Sequence, residues 1–331
     1  MYIGTQTRCR NDTDIEVLAQ LGVFNVDQTP EEPWAEWTAD LLKAQRERFN
    51  RYGINLEMIH IPLGSASAFH NEAGAIFLGK SDARDRALDR MCETVRMASE
   101  AGIRGLNYNI TLLGHLRTEP SYGRGGAKLS TFDYDKLDQA RPEFEGGPAD
   151  EDEMWERIDH WLKTIIPVAE EYKVQMACHP SDPGIGHGRT YRGVARVLGM
   201  SDGFKKLIDL YDSPYNGLNF CQGCMSESLE NPAEEIYDVI RYFGTRKKIF
   251  NVHFRNIKGR LNKFVEVFPD EGDVDMLKAM RTYKEVGYEY MIMPDHVPGI
   301  SGPEAGQVGF AYAYGYIHAA IQAANAADSL A

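Results

Sequence analysis

The sequence predicts one (β/α)₈ barrel carrying a long lid-like insertion after its fourth strand. Three observations carry this reading. Eight short apolar or β-branched runs recur along the 331 residues. Most are separated by amphipathic stretches long enough for a helix, the signature of βα units around a parallel sheet. The length suits one closed α/β barrel better than a pair of ordinary domains. With 43% hydrophobic and 26% charged residues, the composition is globular and excludes disordered and fibrous classes.

Taken in order, the first strand is expected over residues 2–6 and the second over 23–27. A helical stretch with Leu42, Gln45, Arg46 and Phe49 on one face then runs to the turn at Gly53. The third and fourth strands fall at 54–60 and 105–110. Some forty residues rich in Gly, Pro and charge follow, HLRTEPSYGRGGAKLSTFDYDKLDQARPEFEGGPADE. Loops of that length act as lids or stay disordered, and this one leaves a strand on the face where barrel active sites sit. Residues 113–150 are therefore read as a lid within a single domain, 1–331; a split into two domains would leave four strands in each half. The helix from about Glu151 repeats Ile158, Leu162, Ile165, Ile166 and Ala169 at helical spacing. The remaining strands are expected at 174–179, 217–221, 249–254 and 289–294. Neither internal repeats nor low-complexity tracts interrupt the series.

The formal charge of −13 argues against a polyanion-binding surface, because nucleic-acid affinity needs clustered Lys and Arg. A small anionic substrate is compatible, since it feels only a few local arginines. The opening MYIGTQTRCRNDTD lacks a secretory signal, and no run of about 18 apolar residues suggests a membrane span. A cytoplasmic location is expected. Cys9, Cys92, Cys178, Cys221 and Cys224 are odd in number and widely spaced, which predicts reduced thiols. A homo-oligomer is the general expectation for such an enzyme.

The chemistry-bearing residues gather at strand ends. His179 closes the fifth run, Cys221 the sixth, His253 lies near the end of the seventh, and Asp295 follows the eighth. Parallel barrel strands put all four positions on one rim, where two imidazoles, a thiolate and a carboxylate form a first shell for a divalent cation. A lone strand-end His or Cys is usually a packed residue; coincidence at four consecutive strands is much rarer. Ligand softness alone favours zinc or iron(II). Arg255, two residues past His253, and Arg189 in the loop PSDPGIGHGRTYRG could each hold a carboxylate in bidentate fashion, with Asn256 alongside. A structural ion pair is the plain alternative for either arginine. His296 beside Asp295 is a candidate acid or base. Glu57, Asn107, Asn109, His115 and Arg117 are further candidates to reach the mouth, and His60 and His187 weaker ones; for Glu57 a layer-forming barrel carboxylate is an equal reading. His70, His160 and His318 read as surface or packing residues. The Cys221–Cys224 CxxC has no second copy and is not read as a redox motif.

At these motifs the sequence resembles the mannonate dehydratases, sugar-acid lyases of hexuronate breakdown. The likeness spans nearly the whole chain and is carried by CHPSDP (178–183), DSPYNGLNFCQG (212–223), FNVHFRNIKG (250–259), FVEVFPDEGDVDMLKAM (264–280) and MPDH (293–296). The resemblance implies a xylose-isomerase-like barrel and a manganese ion on His179, Cys221, His253 and Asp295, with Fe2+, Zn2+ or Co2+ as alternatives. It also implies removal of water from an aldonic acid to give a 2-keto-3-deoxy acid, with Arg255 and His296 in catalytic roles. One expected feature is missing. Where the family carries a tyrosine acid/base, EAGQVGF (304–310) offers Gln307 or Phe310, and Tyr312, Tyr314 and Tyr316 look like helix-face residues. Two other readings stand beside the lyase: an isomerase or epimerase of a related sugar or keto acid, and a non-catalytic metal or sugar-acid binder on the same barrel.

Overall fold

Eight parallel strands form the central sheet of the computed structural model, which describes residues 1–326. They are β1 (Tyr2–Ile3), β2 (Asn25–Asp27), β3 (Asn55–His60), β4 (Gly105–Asn109), β5 (Gln175–His179), β6 (Asn216–Cys221), β7 (Ile249–His253) and β8 (Met291–Met293). From β2 to β8 each pairs with the next in sequence, and β8 pairs with β1. The remaining gap is bridged where Thr5 meets Val26, with the Thr5 amide donating to Asn25 O at 3.1 Å. The sheet is thus closed into the expected barrel.

Observed and expected strands agree to within a few residues at their ends, and one departure has a visible cause. Val23 was expected in β2, but its amide donates to Leu18 O at 2.9 Å behind Gly22 at φ 75°. It finishes the preceding helix instead of joining the ladder. Inside the barrel, Met58, Ala177, Phe250, Met291 and Met293 form a buried plug. Glycines on neighbouring strands make room for it. A Cβ on Gly217 would lie 2.5 Å from the Phe250 ring, and one on Gly105 would lie 2.7 Å from Met58 Cε.

Outside the sheet lie α1 (Asp12–Gln20), α2 (Ala39–Asn50), α3 (Asp82–Glu100), α4 (Glu151–Tyr172), α5 (Ser201–Leu210), α6 (Gln222–Glu227), α7 (Pro232–Thr245), α8 (Met276–Glu285) and α9 (Ala305–Ala326). α4 starts in a capping box, Asp150 bonding the Glu153 amide and Glu153 reaching back. Its buried face is Met154, Ile158, Trp161, Leu162, Ile165, Ile166 and Ala169, which includes every position the periodicity picked out. Among the described residues, no helix is long and apolar enough to cross a membrane.

The segment after β4 has structure of its own. Ser121–Tyr122 pairs with Lys128–Leu129, and Thr131–Asp133 adds an edge to a hairpin of Asn256–Arg260 and Lys263–Val267 that leaves β7. Leu116, Phe132 and Leu137 of the segment pack with Ile185, Tyr191, Ile257 and Phe264 in a second small core. That hairpin was not foreseen. Its alternation of Phe264, Glu266 and Phe268 against Val265 and Val267 is strand-like, but it lies beyond the barrel strand, where the βα pattern predicts a helix.

Candidate metal centre and active site

His179, Cys221 and His253 end three adjacent strands, and Asp295 stands two residues past the fourth. Register aligns Cys221 with His253 and His253 with Met293, so the side chains share one rim. One ligand atom from each of the four lies within 4.8 Å of the others, and all four residues are buried. Cys221 Sγ is 3.4 Å from Asp295 Oδ2, and His253 Nδ1 is 3.4 Å from Asp295 Oδ1. Ligands at normal bond lengths around one tetrahedral ion stand about 3.3–3.8 Å apart.

Neighbouring groups orient the imidazoles. His179 Nδ1 donates to Pro180 O at 2.7 Å, which leaves Nε2 as the nitrogen with a free lone pair. The Asn219 amide lies 3.2 Å from His253 Nε2, while His253 Nδ1 is buried without a hydrogen bond. Burial pushes the Cys221 thiol up, but Cys224 and the Arg255 guanidinium outweigh it and hold the thiol well below its usual range. Burial likewise raises Asp295, and His296, His253 and Arg255 more than reverse it. His253 would be kept neutral by burial, yet Asp295 and Cys221 push it up to about 10. The cluster thus draws positive charge onto an imidazole at the spot a cation would fill, so its residues fit a divalent ion.

Beside this cluster lies an ionic network that sequence reasoning largely missed. Arg255 is 3% exposed, and its guanidinium is 2.8 Å from Glu227, 3.0 Å from Glu266, 3.3 Å from Asp182 and 3.6 Å from Asp295. It also lies 3.0 Å from His296 Nδ1 and 3.1 Å from Cys224 Sγ. Arg117 is bound to Asp182 at 2.6 Å and to Glu266. Both arginines therefore face protein carboxylates; for Arg255 this is the structural ion pair rather than the fork to a substrate. Gly223 is part of this packing, because a Cβ there would stand 2.2 Å from Arg255 Nε. Gly223→Ala is expected to lose about 1–3 kcal/mol by overpacking, read by urea denaturation, and to lower metal retention with it.

His296 faces the open side of the cluster, with its side chain 39% exposed. Its Nδ1 is 2.9 Å from Glu266 Oε2 and its Nε2 is 3.4 Å from Asp295 Oδ1. Burial lowers its affinity for a proton, but Asp295 and Glu266 prevail and raise it to about 9. His115, from the segment after β4, lies edge-on to it with ring centroids 6.0 Å apart. A cavity of about 450 Å³ adjoins His296, lined also by Arg117, Lys128 and Arg255 among others.

Other expected site residues are placed elsewhere. Glu57 pairs with Arg104 at 3.1 Å, low in the barrel beside Tyr2, the layer-forming alternative. Asn256 spends its amide on Pro269 O, Val274 O and the Val274 amide, closing the hairpin rather than meeting a ligand. Arg189 is exposed and stacks 4.7 Å over Tyr134, and His187 pairs with Asp202 at 3.1 Å on the surface. Asn109 contacts His179 at 3.1 Å, and Asn107 donates to Asp27. The tyrosines of α9 are packing groups: the Tyr314 hydroxyl is 2.7 Å from Thr5 Oγ1, Tyr312 stands edge-on to Phe268, and Tyr316 lies against the core. The missed network residues lie within or next to the motifs of the site. Asp182 is in CHPSDP, Glu266 in FVEVFPDEG, and Glu227 one helical turn past the CxxC; only their positions relative to Arg255 give them meaning.

Known proteins resemble this chain to different depths. The family model described as D-mannonate dehydratase (UxuA) matches residues 124–328. The mannonate dehydratase of Thermotoga petrophila is 28% identical over 304 residues, covering 81% of this chain and 80% of its own length. Mannonate dehydratase 2 of Halalkalibacterium halodurans is 26% identical over 302 residues, covering 83% and 82%. The crystal structure of mannonate dehydratase from Streptococcus suis serotype 2 superposes with a TM-score of 0.83 at 21% identity, covering 99% of this chain and 96% of that one, which supports the fold. With more than half of its length matched by the family model, the chain belongs to the mannonate dehydratase family of hydro-lyases.

Proposed function

We propose that this protein dehydrates D-mannonate, or a closely related aldonate, to the 2-keto-3-deoxy acid and water. The observation that carries the reading is the convergence of His179, Cys221, His253 and Asp295 within 4.8 Å on the barrel rim. We assign these four side chains to a divalent cation, Mn2+ by family resemblance. When bound, the cation would supply Lewis-acid neutralisation of the charge that develops on the substrate's carboxylate. Cytoplasmic, homo-oligomeric operation on a small anionic sugar acid accompanies this reading.

The chain's own residues have the proton transfers to perform. One group must take the C2 proton, and one must protonate the hydroxyl leaving C3; the enol that results then collects a proton at C3 to give the ketone. His296 is assigned one of these roles, because it faces the cavity while Glu266 fixes its Nδ1 and leaves Nε2 toward the cluster. His115 is assigned the other. It stands across from His296, and the tyrosines of α9 are engaged in packing. Arg255 is a positioning residue for Asp295 and His296 rather than a contact to substrate.

The test is to incubate metal-loaded protein with D-mannonate and other aldonates and detect the keto-deoxy acid with semicarbazide. Formation of that product is expected, with kcat lowered about 10²–10⁴-fold in His296→Asn and in His115→Asn, the usual share of a general acid or base. Products isomeric with the substrate would turn the assignment to an isomerase. Full activity in His115→Asn would remove His115 from the proton transfers.

A further inference from the structure

The network and proton-transfer groups occupy one side of the cluster; on the other, at the ends of β1, β2 and β3, lies a separate cavity of about 650 Å³. Gln6, Asp27 and His60 line it. Gln6 Nε2 donates to Asp295 Oδ1 at 3.1 Å, so this cavity begins where the metal-ligand cluster ends. Asp27 closes β2 and is 3% exposed, yet only one of its oxygens is used: Asn107 Nδ2 donates to Oδ2, and Oδ1 has no hydrogen-bond partner. His60 closes β3. Among the described residues, its Nε2 is buried without a hydrogen-bond partner.

Buried polar atoms left unpaired are rare and costly, and two of them on residues that line one cavity call for a ligand. Their chemistry narrows what that ligand is. Asp27 Oδ1 is an acceptor. His60 Nε2 is a ring nitrogen, which meets a hydroxyl as acceptor or as donor. Arg8, also in the lining, is paired with Glu31 at 3.1 Å. A wall that includes an unpaired carboxylate oxygen repels a substrate carboxylate and takes hydroxyl groups.

We propose that Asp27 and His60 form the subsite for the hydroxyl-bearing tail of the substrate, the carbons farthest from its carboxylate, and set the chain length and hydroxyl configuration the enzyme accepts. Asn107 is the positioning residue that turns Asp27 toward the cavity. The inference rests on the aldonate reading above and goes beyond it by naming where the polyol end lies.

Calorimetric titration of manganese-loaded protein separates the two ideas. The probes are D-mannonate and D-glycerate, a three-carbon aldonic acid without the distal hydroxyls, run beside the turnover assay. Asp27→Asn keeps the size and the Asn107 contact but removes the charge and an acceptor; His60→Phe removes the ring nitrogens without touching Asp27. Expected are a Kd for D-mannonate about tenfold to a hundredfold weaker in Asp27→Asn, a smaller weakening in His60→Phe, and D-glycerate binding within about twofold of wild type in both. If wild type binds and dehydrates D-mannonate and both variants bind it as tightly, the subsite is wrong and the dehydratase assignment stands. Equal weakening of D-mannonate and D-glycerate also overturns the subsite, because the effect then lies at the shared carboxylate end. If wild type neither binds nor turns over any aldonate, the dehydratase reading falls, and the subsite with it.

Discussion

Cys221→Ala is expected to lose more than about a hundredfold in dehydration rate and most of its bound metal, without losing its fold. The factor exceeds the 10–100-fold typical of groups that only orient a ligand, because one of four donors is removed outright. Stability should move in an informative direction. Cys221 Sγ stands 3.4 Å from the Asp295 carboxylate, and the thiol is held well below its usual range despite burial. That direction means that the favourable contacts of the sulfur with Cys224 and Arg255 outweigh its repulsion from Asp295, so removing it costs stability near neutral pH and the apo variant should melt below apo wild type. Adding metal widens the difference. A ligand at a hundred times its Kd stabilises the folded state by about 2.7 kcal/mol, a gain open to wild type and largely closed to the variant. Metal content by elemental analysis, with melting curves at several Mn2+ concentrations, checks both halves. A variant that retains stoichiometric metal and a wild-type shift would remove Cys221 from the ligand set.

What could be read from sequence, and what could not, follows the range of the interactions involved. The barrel was legible because each strand announces itself locally, and α4 because its apolar spacing is a property of one helix. The cluster was legible for a topological reason. Parallel strands bring their C-terminal ends to one rim whatever the rest of the chain does, so four ligand types at four successive ends converge by construction. Arg255 shows where that reasoning stops. Its distance from His253 correctly placed it at the rim, but whether it meets a substrate or a carboxylate of the protein depends on Asp182, Glu227 and Glu266, which come from three other segments. Asp27 is a similar case: nothing in its local sequence says that one oxygen will be left unpaired. Glu57 lies only three residues before the end of β3, yet that distance along a strand puts it in the lower layer with Arg104 instead of the mouth.

The same network sets the second large effect. Arg255→Met should destabilise the protein by about 3–5 kcal/mol, the cost of leaving buried charge uncompensated. The burden is unequal among the three carboxylates. Asp182 and Glu266 keep Arg117, which is bound to both. Glu227 is fully buried, its Oε2 already has no partner, and Arg255 is its closest cation at 2.8 Å. Burial and the Asp182 carboxylate both push Glu227 well above the usual carboxyl range. In the variant it can therefore take up a proton, which holds the loss toward the lower end of that span. A thermodynamic cycle follows from this. Glu227→Gln alone should be mild, and adding it to Arg255→Met should restore much of the lost stability, with a coupling of about 1–3 kcal/mol between the two sites in urea denaturation. Kinetics distinguish this from direct substrate binding. An arginine that clamps the substrate carboxylate would raise KM when replaced and leave stability nearly untouched. An arginine that holds Asp295 and His296 lowers kcat and metal retention together, and Arg255→Lys would rescue little because a point charge cannot span Asp182, Glu227 and Glu266 at once. Wild-type stability in Arg255→Met with an isolated rise in KM would return Arg255 to the substrate.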